Sequence, residues 1–141
     1  INLGVLENGR VVYLDYLETT RPLRYIVTPG ESDPYWCTAL GRAVAAQLPP
    51  DELARLLKET DLRPAGPVRT EAALVQLLSD ARRNGFAEER EEAAEGVACL
   101  AIDLGCYGWP QAALSVAVPV QRLTPRRRET VIRALQGLLA R

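Results

Sequence analysis

The chain contains no histidine. That removes the commonest general base, the Ser-His and Cys-His nucleophile pairs, and the commonest metal ligand. A single lysine, Lys58, stands against sixteen arginines, so Schiff-base chemistry has one candidate, in a segment that reads as an exposed helix face. Three cysteines, Cys37, Cys99 and Cys106, are too few and too scattered for a disulfide framework, and an odd number fits a reduced, cytoplasmic protein. No apolar run approaches the roughly 20 residues of a membrane span, and no basic, then greasy leader opens the chain. Methionine is absent as well and the first residue is Ile1, which reads as a piece of something longer. A net charge of −1 leaves no basic surplus with which this piece alone could grip DNA.

What remains is ordinary for a soluble globular domain: 141 residues, 48% hydrophobic and 25% charged, enough for one core without staples. Residues 2–6 and 10–18 read as strands joined at Asn8-Gly9, a pair suited to a tight hairpin turn. "LRYIV" at 23–27 reads as a third strand and "TPGESDP" at 28–34 as loop. Helices are expected over about 37–47, stopped by Pro49-Pro50, over 51–58, and from the Thr70 cap to Asn84, where Gly85 ends it. Pro64, Gly66 and Pro67 break the chain between the last two. The period then changes: 86–92, 96–104 and 111–120 read as strands. Thr124-Pro125 opens a last helix with Val131, Ile132, Leu135, Leu138 and Leu139 as its buried stripe. Strands grouped rather than alternating with helices argue for an antiparallel sheet with helices on its faces, an α/β fold of the α+β type.

One stretch stands out, "YWCTALGRAVAAQL" at 35–48. Its backbone N–H groups at Thr38, Ala39 and Leu40 would open a helix, where a carboxylate or phosphate can bind, and Tyr35 and Trp36 could wall such a site. Most helix N-termini, however, bind only water or a cap, and on that reading, which the residues alone favour, Cys37 and Thr38 merely cap and pack and the small residues let the helix lie close on the sheet.

Five segments resolve this by resemblance: "CTALGRA" at 37–43, "LPPDEL" at 48–53, "GFAEEREEAAEGVACLA" at 85–101, "AALSVAVP" at 112–119 and "RLTP" at 122–125. Together with "RPLRYIVTPGESDP" at 21–34, their order and spacing resemble the effector-binding domain of IclR-type transcriptional regulators. The resemblance implies a GAF-like or profilin-like curved antiparallel sheet of about six strands flanked by helices, with residues 1–141 as one ligand-sensing domain. It implies a winged helix-turn-helix domain before it, missing here, through which DNA would be bound. It also implies homodimers or homotetramers, a small organic or aromatic acid as effector, and no metal, cofactor or membrane. By the same resemblance the backbone at Ala39 and Leu40 meets the ligand's polar end, and Trp36, Cys37 and Thr38 flank it. Cys99 and Ser115 supply a pocket thiol and hydroxyl, Glu89 stands where the family often has aspartate, and Tyr25 and Pro22 stand at wall positions. Two positions depart from the pattern, Ala117 in place of a second serine and Asp33 in place of an apolar wall. Both disfavour a small doubly polar acid such as glyoxylate. Asp33 and Glu89 favour a ligand carrying donors, unless both are solvated loop acids or Arg24 neutralises them.

The remaining charged groups read as solvated: Glu88, Glu89, Glu91, Glu92 and Glu95 as a strand edge, Arg126, Arg127 and Arg128 as the first turn of the last helix. Two alternatives stay open beside the sensor, an oligomerisation module with a vestigial pocket and a small cysteine or carboxylate enzyme. The enzyme lacks its parts, with no histidine, no serine elbow and no ordered acid pair.

Overall fold

A computed structural model describes residues 1–62 and 68–140. The expected breaks at Pro64, Gly66 and Pro67 lie outside the described residues. Six strands form one antiparallel sheet in the order β3-β2-β1-β6-β5-β4. They are β1 (Asn2–Glu7), β2 (Arg10–Tyr16), β3 (Ser32–Pro34), β4 (Ala87–Arg90), β5 (Val97–Asp103) and β6 (Ala112–Pro119). Among the described residues four α-helices accompany them: α1 (Ala39–Ala45), α2 (Pro50–Lys58), α3 (Glu71–Asn84) and α4 (Pro125–Leu139). Among the described residues no helix is long and apolar enough to cross a membrane.

Local chemistry sets most boundaries. Asn8 and Gly9 both take positive φ, 51° and 75°, as a two-residue hairpin turn requires. Thr38, Thr70 and Thr124 each accept a hydrogen bond from the backbone N–H three residues on, and Gly85 ends α3 at φ 78°. Strand alternation then sorts the sheet's two faces. Ala87, Ala101 and Ala113 point to α1, while Ala98, Leu100 and Ile102 point to α4 with Leu123 and Leu135. The α1 face is floored by small side chains, so α1 sits close and every residue in it is buried. Gly41 is required there: a Cβ would collide with the Tyr35 backbone, which crosses directly over it.

Four expectations need correction, the first that 28–34 is all loop, since Ser32–Pro34 form β3. Residues 23–27 form no strand. The free edge of β2 is taken instead by the chain beyond Gly30, through Gly30 N–H to Tyr13 O, Tyr13 N–H to Glu31 O, and β3. Residues 17–31 therefore cross as an irregular strap, with Leu23 and Ile26 exposed and Val27 buried. The helix expected from residue 37 begins at Ala39, because Tyr35–Cys37 form a separate 3₁₀ turn and Thr38 is extended at φ −113°. In α4, Leu135 is buried but Leu138 faces solvent, one residue off the stripe that the sheet covers.

Candidate functional site

A small cavity lies where the start of α1 meets the inner face of the sheet. It is lined by Asn2, Tyr13, Tyr25, Thr38, Ala39, Leu40, Glu89, Ala93, Ala94, Val97, Cys99 and Ser115. Register brings the strand residues together: Asn2 pairs with Ser115, Glu89 pairs with Cys99, and all face α1. The Thr38 N–H is spent on Tyr35 O, leaving those of Ala39 and Leu40, the first two helical residues, without intrahelical partners. The cavity measures about 20 Å³, room for roughly one water.

Glu89 dominates its electrostatics. The residue is 2% exposed. Its Oε2 accepts the Glu92 backbone N–H at 3.0 Å, while Oε1 is buried with no hydrogen-bond partner among the described residues. Burial raises its pKa, and the Glu92 N–H, with the nearby Cys99 thiol and Ala93 N–H, only partly opposes that. The Cys99 thiol is pushed far up by burial and by the neighbouring Glu89 carboxylate, so it stays protonated. Burial, and then Asp33, Cys99 and Glu89, likewise raise the Tyr25 phenol. Among the described residues no cationic side chain lines the cavity. The lining thus offers two backbone donors, a carboxyl oxygen without a hydrogen-bond partner among the described residues, the Asn2 amide and the Ser115 hydroxyl.

The family model for the C-terminal domain of bacterial IclR transcriptional regulators matches residues 1–138. The chain belongs to the IclR family. It is 35% identical over 131 residues to the HTH-type transcriptional regulator Rv1719 of Mycobacterium tuberculosis, covering 92% of this chain and 50% of that protein. The crystal structure of the Thermotoga maritima IclR superposes with a TM-score of 0.85 at 25% identity, over 96% of this chain and 56% of that one. An IclR homologue from Microbacterium hydrocarbonoxydans, crystallised with 4-hydroxybenzoate, superposes at 0.78 with 24% identity, over 96% and 57%. The chain spans about half the length of the curated relatives it matches. These relatives are transcriptional regulators, not enzymes, so this is the effector-binding domain of a regulator rather than a small cysteine or carboxylate enzyme.

In this IclR domain Tyr25, Thr38, Ala39, Leu40, Glu89, Cys99 and Ser115 line the cavity. Four other expected residues do not. Asp33 sits behind the wall, accepting the Tyr13 hydroxyl at 2.7 Å. Trp36 packs on the core and turns its carbonyl to Arg42. Cys37 points its Sγ at Pro34 O, and burial pushes its thiol up to about 11. Ala117 neighbours Cys99 in register but lines an outer groove, on the far side of Tyr25. Pro22 is exposed, and Arg24 pairs with Glu18 at 3.4 Å rather than with Asp33 or Glu89. The acidic run is a solvated edge only in part: Glu91 and Glu95 are exposed, but three of its members are not left to water. Glu88 bridges Arg90 and Arg128, Glu92 pairs with Arg42, and Glu89 is buried. Arg128 is correspondingly not free in water; it also lies over the Phe86 ring at 5.5 Å.

Sequence reasoning missed five lining residues. Asn2 and Tyr13 carried a signal, being polar-tipped side chains on the inward phase of their strands. Val97 carried one too, two residues from Cys99 on β5 and so on the same face; Ala93 and Ala94 carried none, because a wall made of a connection has no periodicity to read.

Proposed function

We propose that this domain senses a small organic or aromatic acid in the cavity bounded by Tyr25, Thr38, Ala39, Leu40, Glu89, Cys99 and Ser115. Occupancy would control a DNA-binding portion outside these 141 residues, through dimer or tetramer arrangement in the cytoplasm, with no metal or cofactor. The observation that carries this reading is Glu89 Oε1. A buried carboxyl oxygen without a partner costs free energy, and a ligand donor would remove that cost. The Ala39 and Leu40 N–H groups suit the ligand's carboxylate, and Glu89 suits a hydroxyl or amine. A molecule such as 4-hydroxybenzoate, held by a protein of the same fold, carries both features.

The cavity's size, about 20 Å³, favours one competing reading, an oligomerisation module with a vestigial pocket. A thermal-shift panel of aromatic and aliphatic acids, with and without a second hydroxyl, decides between them. A true effector raises the melting temperature, by about 2.7 kcal/mol of stability at a hundredfold excess over Kd. Ala39→Pro removes one donor at a position where proline is tolerated, since Thr38 is already extended. That variant folds but loses the ligand-dependent rise. No shift across the panel, with no small molecule in native mass spectra of purified protein, leaves the oligomerisation module standing.

A further inference from the structure

Arg42 is 2% exposed, on a helix buried along its whole length. Its guanidinium donates from Nε to Trp36 O at 2.9 Å. One terminal nitrogen donates to Glu88 O at 3.1 Å and to Glu92 Oε2 at 2.9 Å, and the other to Glu92 Oε1. One side chain on α1 thus reaches the 3₁₀ turn, β4 and the β4–β5 connection together. A buried ion pair contributes little net stability, because desolvation offsets the attraction. Stability alone is therefore a weak reason to find a bidentate pair here, and its position suggests another.

The residues downstream of that pair build the cavity. Glu92 N–H holds Glu89 Oε2, and Ala93 and Ala94 form the adjoining wall. We infer that the Arg42–Glu92 pair is a clamp that holds the β4–β5 connection against α1 and so aims Glu89 Oε1 into the cavity, which makes both positioning residues of the effector site. The inference rests on the proposed function for the purpose of the site, but not for its geometry. Arginine suits the clamp because its planar fork serves acceptors on three elements at once, whereas lysine offers a point charge. The Glu88 side chain pairs with Arg90 and Arg128 on the other face of the sheet, and only the Glu88 carbonyl joins the clamp.

Cys99 reads the clamp without any ligand. It faces Glu89 across β4 and β5 and lines the cavity. In a Cys37→Ala, Cys106→Ser background it is the only remaining thiol. Iodoacetamide alkylation is slow while the wall is shut and faster when it opens. Arg42→Gln and the double variant Arg42→Gln/Glu92→Gln should raise the rate about tenfold or more through local opening. Arg42→Lys should fall between them and the parent, and Arg128→Ala should match the parent. Leu74→Ala, in the buried core and outside the cavity, controls for general destabilisation. The inference is overturned if the double variant labels at the parent's rate, or if Leu74→Ala accelerates labelling as much. If Arg42→Gln alone fails to fold, the double variant decides, because it buries no unpaired charge. A negative ligand panel would leave this result untouched, and unchanged labelling would leave the ligand panel untouched.

Discussion

A carboxyl group shut away from water changes how stability responds to pH. Glu89 has its pKa raised above the ordinary 4.5 by burial, so the fold prefers its neutral form. Its contribution is fully present below about pH 4.5 and is lost as pH rises through the elevated value. Glu89→Gln, which stays neutral, should therefore be more stable than the parent at neutral pH. The gap should close as pH falls, as urea denaturation of the two proteins side by side would show. At Gly41 the constraint is steric rather than electrostatic, since a Cβ would meet the Tyr35 backbone. Gly41→Ala forces the Tyr35 backbone aside and should cost about 1–3 kcal/mol in the same assay. At this scale the sequence was readable where a motif fixed a position on a strand, as for Cys99 and Ser115. It was not where a side chain's direction depended on a turn. The 3₁₀ turn rotates Trp36 and Cys37 away from the cavity, and no spacing rule foretells that.

The elements with their own punctuation could be read directly: the Asn8-Gly9 hairpin, the threonine caps and the Gly85 stop. Thr124→Ala should accordingly cost about 1 kcal/mol, measured by thermal denaturation, because it removes the α4 cap. The strap at 17–31 was misread for a physical reason. "LRYIV" has the composition of a strand, but a strand needs a free edge, and β3 takes the one β2 offers. What composition took for pairing is a covering segment whose Tyr25 lines the cavity on one side and an outer groove of about 550 Å³ on the other. Tyr25→Ala should join the two spaces and speed Cys99 alkylation while the melting transition stays cooperative. Unchanged alkylation would mean that other parts of the strap seal the cavity.

For the whole molecule, the grouping of strands and helices along the chain was enough to anticipate the antiparallel sheet, since each run of like elements had to build one layer. The strand order was not, because pairing β1 with β6 joins residues more than a hundred positions apart. With a net charge of −1, the isolated domain should show no operator-specific DNA binding at physiological salt, tested by fluorescence anisotropy. The proposed assembly should appear as concentration-dependent sedimentation. The small size of the cavity bears on how such a protein would signal. If the unliganded state spends nearly all its time shut, the measured Kd is the intrinsic one divided by the small open fraction. Propping the cavity open would tighten binding by restoring that fraction. It would also make the vacant and occupied shapes more alike, and that difference is all the rest of the regulator has to read. The variant with the highest affinity would then be the one that reports least.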